Sequence, residues 1–332
     1  MKIIPIAIPT PFYVGDVNVY LIREDPLTLI DTGPKTSEAE SALKSRLKKH
    51  GVDFTDLRRI VLTHAHEDHC GLAARIRQLS RIDNSSGSTA GANGIAEIYI
   101  HPWERGHLFG RLSNEDQRRL LLRSGVPAKV FDSMRSIYDE ISLLTDPLDK
   151  DDFLPLDDEL ELEFETGSIR VIHTPGHTPG SCSLFREADR TMICGDCALK
   201  RITPNPILAP DPIDPNRRFP SLAEYLVSLA RIRSLKPTLL LTGHGEPITD
   251  FEELFNRYRR QIELRQQQIL QLIGNGSFCA FDLAAKLFPK SFGQGVHTFL
   301  AVSETIAHLD LAAGEGKLEM EIRDSVEYFH RA

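Results

Sequence analysis

Three histidines and an aspartate fall within six residues, directly after a short apolar run. The run, Arg59-Ile60-Val61-Leu62, has the composition of a buried strand. The residues that follow are Thr63-His64-Ala65-His66-Glu67-Asp68-His69. Neutral imidazole is the commonest protein ligand of transition metals, and carboxylate oxygens complete such sites. The segment therefore predicts a metal site at the end of a buried strand, with donors for more than one ion.

Three more metal-type side chains stand beside glycines later in the chain. They are His177 within Thr174-Pro175-Gly176-His177-Thr178-Pro179-Gly180, Asp196 after Gly195, and His244 between Gly243 and Gly245. Catalytic side chains commonly lie in loops at strand ends, and glycine permits the tight turns behind them. Any one of these histidines alone is typical of a structural or exposed position, but the joint pattern favours metal ligands.

Seven donors exceed the four that one tetrahedral zinc ion takes, so the sequence predicts two ions. His64 and His66 point the same way if their segment is extended, because side chains in a strand repeat every two residues. Asp68 and His69 come one step later, at a predicted helix start, and can reach a second ion. Asp196 has two carboxylate oxygens and can bridge the pair.

Strand-like and helix-like segments alternate along the first two thirds of the chain, which predicts an α/β fold. The predicted strands are 17–22, 27–30, 59–62, 97–101, a hairpin over 160–171, 182–185, 191–194 and 238–242. The predicted helices are 37–49, with Ser37 as its cap, 71–79 and 221–234. Residues 83–94, rich in glycine, serine and asparagine, are predicted to form a surface loop.

Two helical regions extend this core. Residues 104–150 are predicted to form a helical insertion, either a lid over the mouth of the site or an amphipathic surface pair. Beyond residue 250, helices at 251–273, 281–288 and 302–312 and a strand at 317–321 predict a small C-terminal module. The predicted organisation is a catalytic domain at 1–250 and this module at 251–332.

Composition narrows the class of protein. The net charge of −8 gives no global basic surface for nucleic acid. No run approaches the roughly 20 apolar residues of a membrane helix, and the N-terminus lacks the pattern of a signal peptide. Five scattered cysteines indicate a reducing, cytoplasmic compartment. Cys194 and Cys197 form a C-x-x-C pattern, for which burial as small hydrophobic residues is favoured over a redox role.

The motifs resemble those of the metallo-β-lactamase superfamily, in the same order along the chain. The matching segments are Leu29-Ile30-Asp31-Thr32-Gly33, 63–69, 174–180, Gly195-Asp196 and Gly243-His244. The resemblance implies an αββα sandwich with metals at one edge, between the two sheets. It also implies a role for each donor. His64, His66 and His177 would hold the first metal, Asp68, His69 and His244 the second, Asp196 would bridge, and Asp31 would support the ligands.

Two features select a branch of that superfamily. Flavodiiron-type members carry glutamate at the position of His66, so zinc hydrolysis is favoured over di-iron redox chemistry. Only 47 residues separate Asp196 from His244, too few for the β-CASP insert of nucleic-acid-processing members. The tail, at 303–310 and 314–318, resembles the winged-helix-like C-terminal module of β-lactamase-like protein 2, which is associated with cleavage of single-stranded RNA.

The favoured function is a dinuclear zinc hydrolase, in which a metal-bridged hydroxide oriented by Asp68 attacks a small ester, thioester or lactone. The alternatives are a single-strand endoribonuclease, a mononuclear iron enzyme of the persulfide dioxygenase type, and a non-enzymatic binding protein. Iron or manganese could replace zinc. The predicted partner is a small-molecule substrate, and no interaction with a membrane is predicted. RNA is possible but not favoured as a partner, and a homodimer is possible. Substrate choice is assigned to residues 9–14, 104–150 and 202–218.

An arginine-rich stretch of the long helix at 251–273 allows two interpretations. Its arginines are Arg257, Arg259, Arg260 and Arg265. They could contact phosphates of RNA, but a solvated helix face is the favoured interpretation.

Overall fold

The computed structural model describes residues 1–80, 95–104, 114–293 and 295–332. The predicted loop at 83–94 lies outside the described residues, as does the part of the helical insertion at 105–113. Within the described ranges, two β-sheets, their covering helices and a C-terminal hairpin account for the predicted elements.

The first sheet consists of six strands in chain order, antiparallel from β1 to β3 and parallel from β3 to β6. They are β1 (Ile3–Ile8), β2 (Val17–Ile22), β3 (Thr28–Ile30), β4 (Arg59–Val61), β5 (Glu97–Ile100) and β6 (Phe153–Pro155). Pro5 is tolerated in β1 because this strand lies at the edge of the sheet, where a missing N–H costs no ladder hydrogen bond.

The second sheet has the order β11-β10-β9-β8-β7 and is antiparallel except between β10 and β11. Its strands are β7 (Glu161–Phe164), β8 (Gly167–His173), β9 (Cys182–Arg186), β10 (Thr191–Gly195) and β11 (Leu239–Thr242). The parallel pair is joined through a helix, as such a connection requires. The predicted hairpin at 160–171 is present as β7 and β8.

Helices and a hairpin complete the described chain. They are α1 (Ser37–Lys48), α2 (Glu67–Cys70), α3 (Ala73–Leu79), α4 (Asn114–Arg123), α5 (Ala128–Ser142), α6 (Ser221–Leu235), α7 (Phe251–Ile273), α8 (Ala280–Leu287) and α9 (Val296–Gly314), with β12 (Leu318–Arg323) and β13 (Val326–Arg331). No helix in the described part of the chain has the length and hydropathy that a membrane span requires.

Two predicted helix starts were wrong. Thr36, not Ser37, caps α1, because the Thr36 hydroxyl accepts a hydrogen bond from the Ala39 amide at 3.1 Å. Helix α9 begins at Val296 rather than at residue 302. Its extra first turns are rich in β-branched and aromatic residues, which favour strands, and burial of Phe299 against neighbouring helices overrides that preference.

Alternating side chains of the strands build the layers. In β2, Val19 and Leu21 pack with the residues of α1, while Tyr20 and Ile22 pack against the second sheet. In β10, Met192 faces the cluster formed with α6 and α7. The two sheets therefore lie face to face with helices on both outer faces, which confirms the αββα sandwich.

The helical insertion and the C-terminal module share one hydrophobic core. Leu120 of α4 and Phe131 and Met134 of α5 are buried in the same cluster as Phe299 and Val302 of α9. The insertion thus packs on the tail of the chain rather than standing alone on the surface. The division into domains at residue 250 stays a prediction.

Candidate metal centre

Loops at the carboxyl ends of strands bring all seven predicted donors together. His64 and His66 follow β4, and Asp68 and His69 lie in α2. The other three follow strands of the second sheet: His177 between β8 and β9, Asp196 after β10, and His244 after β11. Three overlapping groups have ligand atoms within 4.8 Å of one another: His64, His66 and His177; His64, His69 and Asp196; Asp68, His69 and His244.

The first group consists only of imidazoles. His66 Nδ1 lies 3.0 Å from His64 Nε2 and 3.0 Å from His177 Nε2. Tetrahedral zinc with Zn–N bonds of about 2.0–2.1 Å places its nitrogen ligands roughly 3.3 Å apart. Since one ring nitrogen carries at most one proton, His66 Nδ1 cannot donate to both neighbours. A cation at the centre of the three nitrogens satisfies all of them.

The other two groups mix imidazole with carboxylate, and we call Asp68, His69 and His244 the second group. His244 Nε2 lies 3.3 Å from Asp68 Oδ2 and 3.7 Å from Asp196 Oδ2. Asp196 also lies 3.5 Å from His69 Nε2 and 3.8 Å from His177 Nε2. Its carboxylate is therefore the one acidic group that touches both imidazole clusters among the described residues, as a bridging ligand must.

Three buried atoms at the centre make no hydrogen bond of normal geometry within the described residues, and their nearest charged partners lie at ion-pair distances of 3.3 to 3.7 Å. They are His69 Nε2, His244 Nε2 and Asp196 Oδ1. Leaving a polar atom buried and unpaired costs about 1–3 kcal/mol, so native proteins rarely keep three side by side. The donor set fits divalent cations, because one ion would pair with several of these atoms at once.

Acceptor groups outside the centre fix the tautomers of three histidines. Carbonyl and carboxylate oxygens only accept, so each Nδ1 must carry a proton, and in the neutral form of each ring Nε2 presents a lone pair inward. The pairs are His177 with the Asn205 carbonyl at 3.0 Å, His244 with the Asp16 carbonyl at 3.0 Å, and His69 with Asp31 Oδ2 at 2.8 Å.

Asp31 holds the histidine-rich loop from behind. Its Oδ1 accepts from the Thr63 amide, and its Oδ2 accepts from the Thr63 hydroxyl, both at 2.8 Å. The backbone of Asp31 has φ of +58°, a conformation that is rare outside glycine. Strained backbone of this kind concentrates at functional sites. The contacts match the supporting role that the resemblance implies.

Burial and neighbouring charges divide the histidines into two classes. Burial lowers the pKa of His64 well below its usual value and also lowers that of His177, so both stay in the neutral, metal-binding form. Burial alone would lower the pKa of His69, but the carboxylates of Asp196 and Asp31 outweigh it and raise that pKa. Burial likewise opposes ionisation of Asp196, yet nearby imidazoles hold its pKa well below the usual range.

Glycine is required where two ligand loops meet. A Cβ atom on Gly243 would lie 2.2 Å from Asp196 Oδ1 and 2.8 Å from His69 Cε1. Both distances are far inside van der Waals contact, so any side chain here would displace the donors. The glycine before His244 thus sets how closely β11 approaches the centre.

Sequence reasoning missed Glu104, which it placed at the start of the helical insertion. This fully buried carboxylate accepts from the Ala65 amide at 2.9 Å and from the Gly180 amide at 2.7 Å. Glu104 therefore joins the loop of His64 and His66 to the loop of His177. The available signal was an acidic residue shortly after the strand-like segment at 97–101.

The contacts of the cysteine pair favour burial over a redox role, and those of the arginine-rich helix favour a surface role over RNA binding. Cys194 and Cys197 are buried free thiols, and burial raises the pKa of Cys197 to about 12. Three of the four arginines bind groups of this chain. Arg257 donates to the Lys200 carbonyl, Arg259 pairs with Glu263 at 3.2 Å, and Arg265 pairs with Glu304 at 3.0 Å.

Comparison with known proteins agrees with this architecture. The sequence model of the metallo-beta-lactamase superfamily matches residues 12–244. The chain is 31% identical to the probable metallo-hydrolase YqjP of Bacillus subtilis (strain 168), over 98% of this chain and 97% of the relative. The crystal structure of the metallo-beta-lactamase family protein TTHA1429 from Thermus thermophilus superposes with a TM-score of 0.81. It is 26% identical and covers 99% of this chain and 98% of its own.

Two more distant relatives bear on the chemistry. A beta-lactamase-like protein 2 homolog of Caenorhabditis elegans is 26% identical over 80% of this chain and 68% of its own length. The atrochrysone carboxyl ACP thioesterase of Passalora fulva is 21% identical over 95% of this chain and 76% of its own. The matched family model and the nearly full-length relative lead to one conclusion: this chain belongs to the metallo-β-lactamase superfamily and is a metal-dependent hydrolase.

Proposed function

We propose that the protein is a dinuclear zinc hydrolase of a small ester, thioester or lactone. The observation that carries the proposal is the convergence of seven donors into two adjacent groups with Asp196 between them. Five of the seven donors are imidazoles, and nitrogen with a few carboxylates is the ligand set typical of zinc. His64, His66 and His177 would hold one ion, Asp68, His69 and His244 the other, and Asp196 would bridge.

When bound, zinc would supply hydroxide at neutral pH by lowering the pKa of water to about 7, and positive charge for a developing oxyanion. The residues of the chain supply orientation. Asp68 stands beside His244, and its remaining acceptor capacity would align the attacking water. The carbonyls of Asn205 and Asp16 keep the imidazoles of His177 and His244 from rotating.

Several observations favour a small acyl substrate over RNA. The net charge is −8, and most arginines of the long helix already bind groups of the protein. A relative that matches 95% of this chain is named as a thioesterase. The resemblance of the tail to β-lactamase-like protein 2 keeps single-stranded RNA as the competing substrate.

The test compares substrates on zinc-loaded protein. A panel of thioesters, esters and lactones is measured beside single-stranded RNA, in the wild type, in His66→Ala and in His330→Ala. His330 lies in the C-terminal hairpin, away from the centre, and serves as the matched histidine control. We expect acyl turnover that falls more than about 100-fold in His66→Ala and is unchanged in His330→Ala.

Two results would contradict the proposal. RNA cleavage that depends on His66, without acyl turnover, would assign the protein to the endoribonucleases. Metal analysis that finds about one ion, or iron, in the active protein would remove the dinuclear zinc centre.

A further inference from the structure

The segment at 203–207 makes two hydrogen bonds with His177. The ring Nδ1 of His177 donates to the Asn205 carbonyl at 3.0 Å, and the Ile207 amide donates to the His177 carbonyl at 3.3 Å. Both the orientation of this imidazole and the position of its backbone therefore depend on where the segment lies.

Asn205 ties the segment to the C-terminal helix α9. Its side-chain amide Nδ2 donates to the Leu300 carbonyl at 3.2 Å. Two hydrogen bonds in series, both through Asn205, thus lead from the backbone of α9 to the imidazole of His177. The partners are far apart in sequence, since Leu300 lies 95 positions after Asn205.

Hydrogen bonds hold the two ends of the segment: the Thr203 hydroxyl donates to Gln261 Oε1, and the Ser221 hydroxyl donates to the Ile207 carbonyl at 2.8 Å. Asn205 lies between these ends. Pro204 and Pro206 flank it, and proline has no N–H with which to anchor the backbone. A cavity of about 350 Å³ lies on the same segment, lined by Asn205 and its two prolines on one side and by Arg265 and Glu304 of the helices on the other. At Asn205 itself, the side-chain amide bond to Leu300 is the one hydrogen bond within the described residues that ties it to α9.

We propose that Asn205 is a positioning residue through which the C-terminal module fixes His177 and so sets the affinity of the first metal site. This inference rests on the dinuclear centre of the proposed function. It predicts a selective effect, because the contacts of Asn205 reach His177 and none of the donors of the second group among the described residues.

The experiment measures stepwise binding of zinc by calorimetry with a competing chelator, in Asn205→Ala, in Asn205→Asp and in a matched control, Asn18→Ala. Asn18 resembles Asn205 but serves the other site: its Nδ2 donates to the Thr242 and Gly245 carbonyls, at 3.1 and 2.9 Å, on either side of His244. His177→Ala and His244→Ala identify which binding step belongs to which site.

His177→Ala should abolish one binding step. We expect Asn205→Ala to weaken that same step by about 10- to 100-fold and to leave the other step unchanged. Asn205→Asp should reproduce this loss, since a carboxylate of the same size cannot donate to the Leu300 carbonyl. Asn18→Ala should weaken the opposite step. Thermal unfolding of the metal-free proteins shows whether a variant has simply lost stability.

Equal zinc affinities in wild type and both Asn205 variants would overturn the proposal, as would an equal loss at both steps. Zinc binding is measured without any substrate. Failure of hydrolysis therefore counts against the proposed function alone, whereas a wild type that binds no zinc contradicts both.

Discussion

The two halves of the metal centre are built from different chemistry. His64, His66 and His177 are three imidazoles whose rings contact one another, and burial favours the neutral form of His64 and His177. In the other half, Asp68 and Asp196 surround His69 and His244 and raise the pKa of both imidazoles against the effect of burial. Apart from the shared Asp196, a divalent ion would meet only imidazoles in the first half, and the carboxylate of Asp68 as well in the second. The second half should therefore bind more tightly at neutral pH and respond more strongly to acid.

The largest expected effect comes from replacing Asp196, the carboxylate that both halves share. Asp196→Asn keeps the shape of the side chain but loses its charge and one acceptor oxygen, so binding at both steps should weaken. Hydrolysis should fall by more than about 100-fold, measured together with zinc content. Asp189→Asn, in an exposed turn paired with Arg186, is the matched control. Loss of a single ion in Asp196→Asn would contradict the bridging role.

Two carboxylates that support the ligand loops, Glu104 and Asp31, should affect the two halves to different degrees. Glu104→Gln should weaken zinc binding in the first half about 10- to 100-fold, because its NH2 group replaces one of the two oxygens and cannot accept, so either the Ala65 or the Gly180 amide loses its partner. Asp31→Asn should weaken the second half most, through His69, and the first half less, through Thr63 beside His64. Both are read from stepwise zinc titration. The contrast fails if either variant affects both steps alike.

Lowering the pH should change the zinc affinity of the two halves differently, with a smaller effect than these substitutions. A raised pKa means that His69 and His244 hold protons up to higher pH, and zinc must displace them. Affinity at the second half should therefore fall by up to about tenfold per pH unit, for each proton displaced, as the pH drops below the raised pKa values of these two imidazoles. The first half should change less, because the lowered pKa values of His64 and His177 leave no proton to displace from these two of its three imidazoles. Calorimetry in buffers of different ionisation enthalpy counts the protons released.

The donors themselves could be predicted from the sequence because each carries a local signal. A histidine or aspartate beside glycine at the end of an apolar run is visible without any tertiary information, as for His177 and His244. The layers were also predictable, since strands buried on both faces contain uninterrupted apolar runs, as at 192–194 in β10 and 239–241 in β11. That the seven donors act as ligands stays a prediction.

The supporting residues could not be predicted in this way. Glu104 acts on Gly180, 76 residues away, and Asn205 on Leu300, 95 residues away. Such partners are chosen by how the layers stack, not by any local pattern. The same holds for the start of α9, where packing of Phe299 with the helices of the insertion overrides local propensity.

The core that α4 and α5 share with the tail has a consequence for anyone who shortens this protein. Truncation after residue 250 would uncover Phe131 and Met134, which are now 6% and 3% exposed, together with the rest of that apolar face. An exposed patch of this kind promotes aggregation. The helical insertion and the C-terminal module must therefore be kept or deleted together. Homologues that lack one of them should also lack the apolar face on the other.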